Sequence, residues 1–520
     1  MDSHWKHVLL VMTLSLMVTV IGIAGLGQQY GGTLRVATIG EPPHLDLMVV
    51  TSDLSSMIGQ HIFETLFTFD ETYSPVPFLI TSYEKSDDGT EVTFHLRHGV
   101  LFHNGEEMDS GDVVASLKRW GAYGSRGPIM YKHVLDTTAV DKYTVKLSFD
   151  SPFGPMESLL AFNNGGPCII PQEIAESAGV EPIKPEQYIG TGPYKFVEWV
   201  PGRYIRLVRF ADYKALDSAP TGYAGARHAY LDEIDFIPVS EAGTRVAGIQ
   251  ASDYDYAQQI PADLYTSLVN NPNIGTYLLK PPLFPMLFRN TKEGIMSNEL
   301  MFQAVLAALD TKPILEAGFG DLADANGSVF PKGTAWYTEA GTEFYSQADT
   351  EKAKALLAQA GYDKEPIRYL VTTSYEQMYA MSMVLTDQLR QAGLNIQMRV
   401  YDWATLTQYR GKPGEWDFFM TWHGPVPDPS LIAPMSPTYP GWWDTPEKNA
   451  LVAAFNSSTN FDDRYKIWED IQKLQYKEGS WIKLGDAFSL NISANQRVVG
   501  LDDPHQPPLL WPYFWNVSLK

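Results

Sequence analysis

The chain has 520 residues, of which 44% are hydrophobic and 19% charged, and its formal net charge at pH 7 is −22. This composition is typical of a globular protein with large packed cores. The acidity argues against nucleic acid or anionic lipid as a partner, because both attract clustered Lys and Arg. Cys168 is the single cysteine, so an internal disulfide is excluded, and its apolar neighbours predict a buried, unreactive thiol.

The N-terminal segment has the pattern of an export leader. Residues 8–26 are almost entirely apolar, and Gly25 and Gly27 form a small-x-small cleavage site before Gln28. No cysteine follows the apolar run, so a lipoprotein signal is absent. We predict a signal peptide at 1–27 and a periplasmic mature protein. An uncleaved anchor is the alternative, because the run is close to the length of a membrane span.

The first half of the chain mixes strands and helices. Alternation of apolar and polar residues predicts strands, and apolar positions spaced three to four apart predict helices. The predicted strands are 34–39, 91–96, 142–149, 204–209, 231–237 and 254–257. The predicted helices are 55–66, one that starts near Asp109, and 242–251.

The second half alternates helices with strands more regularly. The predicted helices are 298–309, 350–360, 377–392 and one from Pro446; the predicted strands are 367–371, 395–401, 417–422 and 487–492. The helix at 350–360 is predicted to begin at a Thr350 cap and to stop at Gly361. Alternation at this spacing favours a sheet covered by helices.

Four short motifs carry a family resemblance. They are YGGTLRVA at 30–37 with GEPPHLD at 40–46, FHLRHGVLFHNG at 94–105, GTGPY at 190–194, and WHGPVPDP at 422–429. In this order the chain resembles the extracytoplasmic solute-binding proteins of ABC importers, family 5, the peptide/nickel type. The resemblance extends over essentially the whole predicted mature chain.

The resemblance implies an α/β protein of the periplasmic-binding-protein type II fold, with two lobes joined by a two-strand hinge and an extra inserted α+β domain. The implied division is lobe I at 31–67, 188–283 and 485–520, the inserted domain at 68–187, and lobe II at 284–484. It also implies a monomeric receptor without cofactor that captures a peptide-like small molecule between its lobes. ABC permease subunits in the membrane are the expected partner.

A search for chemistry finds no enzyme signature. The chain lacks a GxSxG elbow, an HExxH motif and a GxxxxGK[ST] loop. The pairs His95–His98 and His98–His103 have odd separations, so on a strand the two members of each pair point to opposite faces, and the three are not expected to share a metal ion. We therefore predict a binding protein rather than an enzyme.

Residues that face the ligand are inferred by resemblance. Dipeptide-binding relatives pair the ligand's ammonium with an Asp in the last motif and its carboxylate with an upstream Arg. Here Pro425 stands at the Asp position, and 375–381 contain no basic residue. Aromatic and polar side chains occupy these segments instead. The predicted ligand contacts are Glu41, Tyr375, Tyr379, Tyr401, Trp403, Trp422, His423 and Trp442.

Three alternatives stay open. The aromatic set would suit an oligosaccharide or glycoside, because rings stack on the apolar faces of sugars. A more distant possibility is an exported carbohydrate hydrolase with an aromatic-lined cleft. Nickel ranks third, because the sequence shows no convincing His/carboxylate cluster.

Overall fold

The computed structural model of the protein describes residues 29–494, 496–501 and 511–520. The predicted signal peptide at 1–27 lies outside the described residues. Within those ranges, none of the helices combines the length and the apolar composition that a bilayer span requires.

Strands make up much of the described chain. They are β1 (Thr33–Thr38), β2 (Phe67–Phe69), β3 (Pro75–Pro77), β4 (Ile80–Lys85), β5 (Glu91–Leu96), β6 (Val134–Asp141), β7 (Thr144–Phe149), β8 (Tyr194–Val200), β9 (Tyr204–Arg209), β10 (Glu233–Pro238), β11 (Tyr256–Ile260), β12 (Ile274–Arg289), β13 (Ala323–Asp324), β14 (Ile367–Thr372), β15 (Ile396–Tyr401), β16 (Phe418–His423), β17 (Trp481–Lys483), β18 (Asp486–Ala494), β19 (Val498–Val499) and β20 (Ser518–Leu519).

Helices lie between and around these strands. They are α1 (Asp53–Gly59), α2 (Ser110–Tyr123), α3 (Gly127–Tyr131), α4 (Met156–Ala161), α5 (Gln172–Ala178), α6 (Ala242–Ala251), α7 (Tyr265–Val269), α8 (Glu299–Ala308), α9 (Thr311–Phe319), α10 (Thr350–Gln359), α11 (Glu376–Gln391), α12 (Trp403–Tyr409), α13 (Pro446–Ser457) and α14 (Phe461–Glu478).

A mixed 12-stranded sheet runs through the described residues in the order β15-β14-β16-β12-β18-β11-β1-β10-β9-β8, with β13 beside β18 and β17 beside β12. Its central strand β12 is 16 residues long and changes partners along its length. The first part, from Ile274 to Leu283, pairs with β18, and the part from Phe284 onward pairs with β16. One continuous strand therefore joins the part of the sheet that contains β18, β11 and β1 to the part that contains β16, β14 and β15.

A separate four-stranded antiparallel sheet has the order β4-β5-β7-β6. Its buried positions alternate with half-buried ones on β7, where Val145, Leu147 and Phe149 are buried. Helix α2 packs against this sheet and buries Trp120, whose indole N–H donates to the Gly165 carbonyl at 2.8 Å. The sheet lies within the range predicted as an inserted domain, but the domain boundaries themselves stay predictions.

Most predicted elements overlap observed ones, with bounds that differ by a few residues, and two of the differences have a visible cause. The helix predicted at 55–66 ends at Gly59, because the His61 and Ile62 carbonyls accept hydrogen bonds from the Tyr194 and Gly192 amides instead of from a further helical turn. The helix at 350–360 is capped by Asp349 and not by Thr350, since the Asp349 carboxylate accepts from the Lys352 amide at 2.8 Å.

The hydrogen bonds between the segment after α1 and the GTGPY motif explain why the motif contains glycines. A Cβ atom on Gly190 would meet the Ile62 carbonyl at 2.1 Å, and one on Gly192 would meet the His61 carbonyl at 2.4 Å. Only glycine lets the two backbone segments approach this closely. The motif is therefore needed to hold the segment after α1 against the start of β8.

Candidate functional site

A cavity of about 390 Å³ lies where β12 passes from its pairing with β18 to its pairing with β16. Its volume is within the range of small-molecule sites, roughly 300–1,000 Å³. Two sets of side chains line it. The polar lining includes Asp53, Arg126, Asn164, Gln258 and Asn491; the apolar lining includes Phe284, Met286, Val329, Phe330, Val426 and Ile432.

Asp53 supplies a carboxylate at the first residue of α1. The preceding Ser52 caps this helix, and its hydroxyl accepts a hydrogen bond from the Ser55 amide. The Asp53 carboxylate is exposed and accepts from the Trp511 indole N–H at 3.1 Å. Trp511 also lines the cavity, so the carboxylate is held at its edge by a neighbouring ring.

Arg126 supplies a cation from the segment between α2 and α3. Its Nε donates to the Asn164 carbonyl at 2.7 Å, and its Nη2 donates to Asn164 Oδ1 at 3.2 Å. The guanidinium lies 5.0 Å from the centre of the Phe162 ring. Desolvation lowers the pKa of Arg126. No Asp or Glu in the described ranges forms an ion pair with it, so a solute carboxylate is a fitting partner.

Most of the apolar lining comes from the second half of the chain, and Met57 and Phe162 add to it from the first half. Phe284 and Met286 lie on β12, and Val329 and Phe330 lie in the segment after β13; all four are at most 5% exposed. Val426 adds a half-buried side chain from the WHGPVPDP motif. Such a surface accepts apolar side chains of many shapes, because burial of apolar area is not directional.

Asp428 anchors the loop that carries Val426. It is fully buried, and its Oδ1 accepts from Arg464 Nη2 of α14 at 2.9 Å. Its Oδ2 accepts from the Ser158 hydroxyl of α4 at 3.1 Å. The carboxylate thus holds this part of the lining from two sides and is unavailable to a ligand.

His423 is the one residue of the eight predicted ligand contacts that lines the cavity. Its Nε2 is 2.9 Å from the Tyr439 hydroxyl. Desolvation, with a smaller contribution from the Arg410 charge, lowers the pKa of His423 to about 4. The ring is therefore neutral at pH 7 and can offer a hydrogen bond but no charge.

Five of the other predicted contacts pack on the second half of the chain, away from the cavity lining. The Tyr375 ring centre is 5.4 Å from Trp403 and 4.9 Å from Trp422, and Tyr401 lies 4.9 Å from Tyr409. Tyr379 packs against the same hydrophobic core as Tyr375. The predicted ligand contacts of these rings stay predictions.

Glu41 and Trp442 also lie outside the lining. The Glu41 carboxylate accepts from the Trp199 indole at 3.0 Å and from the Gly202 amide at 2.9 Å. Trp442 stacks on Trp416 at 5.4 Å and lines a separate pocket of about 300 Å³ with Arg289 and other residues. Their roles as ligand contacts stay predictions too.

Asp53 and Arg126 were not among the predicted contacts. The sequence search for charged anchors covered the segments around 375–381 and 425, and Pro425 does line the cavity without offering a charge. Ser52 before Asp53 signals a helix cap, but no pattern around either residue points to a ligand. Only the tertiary structure brings this acid and this base to one cavity.

The described residues contain no group of three or more His, Cys, Asp or Glu placed to hold a metal ion. His103 Nε2 lies 2.9 Å from the Gly192 carbonyl, and His98 stacks on Tyr143 with ring centres 3.9 Å apart. Cys168 is buried, and burial raises the pKa of its thiol. The thiol is therefore held in its unreactive protonated form.

Residues 74–443 match the family described as "Bacterial extracellular solute-binding proteins, family 5 Middle". The chain belongs to this family. A relative from Sinorhizobium fredii, named "Probable peptide ABC transporter periplasmic-binding protein", is 28% identical over 492 residues, covering 90% of this chain and 90% of the relative. The oligopeptide-binding protein AppA of Bacillus subtilis is 26% identical and covers 90% of this chain and 81% of its own length.

The fold of this solute-binding protein is shared with a solved structure. The periplasmic binding protein DppA of Helicobacter pylori, determined with the peptide STSA, has a TM-score of 0.72 at 22% identity, covering 94% of this chain and 98% of that one. This likeness confirms the predicted α/β periplasmic-binding-protein fold. Both sequence relatives are named as transport or binding proteins, which fits a receptor rather than an enzyme.

Proposed function

We propose that this solute-binding protein is the periplasmic receptor of an ABC importer and captures a short peptide or a peptide-like zwitterion in the 390 Å³ cavity. The observation that carries the proposal is the pairing of one acid and one base, Asp53 and Arg126, in a cavity with a large apolar lining. The expected partner is the membrane permease, to which the loaded monomer delivers its solute after export and removal of the leader.

A free peptide presents the groups that this lining would recognise. Its carboxylate finds in Arg126 a desolvated guanidinium without an ion-pair partner in the described ranges, and its ammonium finds the Asp53 carboxylate. Charged hydrogen bonds are worth more than neutral ones, and the Arg126 guanidinium is half-buried while the Asp53 carboxylate is exposed, so these two residues favour solutes that carry both charges. The apolar lining then accepts the side chain between them.

The oligosaccharide alternative lacks the support it was expected to have. It depended on an aromatic platform, but Tyr375, Trp403 and Trp422 pack against one another outside the cavity lining. A neutral sugar would also leave the Arg126 charge desolvated and unpaired. The names of the two sequence relatives, one a peptide and one an oligopeptide receptor, favour the peptide as well.

Native mass spectrometry of protein purified without refolding tests the solute class directly. We expect co-purified adducts whose released masses are those of short peptides. Adducts spaced by hexose units would contradict the proposal and favour the oligosaccharide.

Calorimetry with defined solutes provides the second test. The stripped protein is titrated with Ala-Phe-Ala, with its N-acetylated and C-amidated forms, and with maltotriose. We expect the free tripeptide to bind most tightly and each capped form to bind more weakly, because each cap removes one charge. Equal affinity for all three tripeptide forms would show that Asp53 and Arg126 do not bind the charged termini of the peptide.

A further inference from the structure

A β-bulge in β11 forms part of the cavity wall. Ala257 pairs with Ile492 of β18 and Ile260 pairs with Leu490, so Gln258 and Gln259 together stand opposite Asn491. Gln259 has a φ of 49°, in the left-handed region that non-glycine residues rarely adopt. Bulges of this kind turn side chains to new directions and recur beside functional sites.

The bulge is held rigidly from two sides. Behind it, the Arg245 guanidinium of α6 donates to the Gln258 carbonyl at 3.0 Å and to the Gln259 carbonyl at 2.7 Å. From the neighbouring strand, Asn491 Oδ1 accepts from the Gln259 amide at 2.8 Å. Because the oxygen of the Asn491 side-chain amide accepts from this N–H, the Asn491 nitrogen Nδ2 is the donor that is still available.

Two buried polar atoms at this point have no hydrogen-bond partner among the described residues. They are the Asn491 Nδ2 donor and the Gln258 Oε1 acceptor. Asn491 is 0% exposed and Gln258 is 8% exposed, and both residues line the cavity. Buried polar groups are nearly always paired, and one left unpaired lowers stability. One donor and one acceptor, on residues that stand opposite each other at the bulge, match the C=O and N–H of an amide.

We infer that Gln258 and Asn491 form an amide-recognition site, in which Gln258 Oε1 accepts a hydrogen bond from a solute N–H and Asn491 Nδ2 donates to a solute C=O. This inference rests on the proposed peptide function and adds a sequence-independent contact to it. The strained bulge serves to aim the two side-chain amides at the solute backbone. Arg245 is a positioning residue, since it acts on the bulge and does not line the cavity.

Calorimetry with Ala-Phe-Ala and its two depsipeptide analogues tests the site, because each ester oxygen removes one backbone N–H. We expect wild-type protein to bind one analogue about tenfold more weakly than the tripeptide, the scale of one net hydrogen bond. In Gln258→Met this discrimination between ester and amide disappears, while the melting temperature stays the same or rises. A merely structural role for Gln258 would lower the melting temperature instead.

Asn491→Asp keeps an oxygen for the Gln259 amide and removes the Nδ2 donor, so we expect it to lose at least tenfold in affinity for Ala-Phe-Ala. Thr386→Val is the matched control, because Thr386 Oγ1 is equally buried and unpartnered but lies on α11, away from the cavity lining. It should bind as wild type does. If both variants bind the tripeptide and discriminate between ester and amide as wild type does, the amide site is wrong and the proposed function stands. If the wild-type protein binds no tripeptide, the proposed function and the amide site are both wrong.

Discussion

The two linings of the cavity are built in different ways. The polar lining gathers Asp53, Arg126, Gln258 and Asn491 from segments far apart in sequence. Each of these residues makes a hydrogen bond within the protein, through its side chain or its own backbone carbonyl. Most of the apolar lining comes from β12 and two loops, and it offers packing without directed contacts. The difference suits a receptor that must hold features common to all peptides while tolerating different side chains.

The largest expected loss of stability comes from releasing the loop that carries Val426 in the apolar lining. Arg464→Met leaves the Asp428 carboxylate, which is 0% exposed, without its ion-pair partner. Breaking a buried pair in this way costs about 3–5 kcal/mol of unfolding free energy, measured by urea denaturation. The control is Arg399→Met, which removes a long 4.0 Å contact with Glu415 at the surface and should cost less than about 1 kcal/mol. Equal losses in the two variants would show that Asp428 does not anchor the loop.

Acid should loosen the polar side of the cavity. His61 follows α1; its Nδ1 faces the Ile58 carbonyl, and its Nε2 accepts from the Phe514 amide at 3.0 Å. Burial lowers the pKa of His61 from 6.5 to about 3. Between these values the unfolded chain binds the proton and the folded one does not, so stability is highest above pH 6.5 and falls as pH decreases.

The size of this effect is on the order of 3 kcal/mol at pH 4 relative to pH 7, from one pKa unit being worth about 1.4 kcal/mol. Urea denaturation across this range measures it. In His61→Gln the pH dependence should be smaller by about this amount, although the variant is less stable at pH 7. An unchanged pH dependence would assign the acid sensitivity to other groups.

Loss of the cation in the polar lining should weaken binding next most strongly. Arg126→Gln removes a charged hydrogen-bond donor, which is worth about 1.5–3 kcal/mol or roughly 10–150-fold in affinity for Ala-Phe-Ala. The C-amidated tripeptide should bind wild type and variant equally. Arg203→Gln, at an exposed turn, is the control and should leave affinity unchanged. A similar loss for both peptide forms would show that Arg126 shapes the cavity and does not meet the carboxylate.

The apolar lining should show the smallest effect. Val426→Ala removes two methyl groups from a half-buried side chain in the lining. We expect affinity for Ala-Phe-Ala to fall by about 1 kcal/mol, or fivefold, with little change for tri-alanine. Calorimetry with both peptides measures the difference. If the affinity for tri-alanine falls by the same factor, the apolar lining contacts the peptide backbone, and the two linings do not divide backbone from side-chain recognition.

The sequence by itself determined the family, the receptor class and most secondary structure. Motifs such as GTGPY are local, and in this chain their glycines are required by a close backbone approach to His61 and Ile62. Strand alternation and helix periodicity are likewise local, so β5, β9 and α6 were predicted with the bounds observed. The predicted end of the helix α1 was wrong, because backbone groups after Gly59 form hydrogen bonds with a segment that is distant in sequence.

Apart from His423, which the sequence predicted, the charged and amide residues of the cavity were revealed only by the tertiary structure. No local sequence pattern marks Asp53, Arg126, Gln258 or Asn491 as a cavity residue. Long-range packing brings these four residues to one cavity. The bulge at Gln258 and Gln259 depends on Arg245 and on a strand more than two hundred residues away. Conversely, the aromatic segments of the second half looked like a binding platform in sequence. In the structure Tyr375 and Trp422 make an edge-to-face contact with each other and pack against the hydrophobic core.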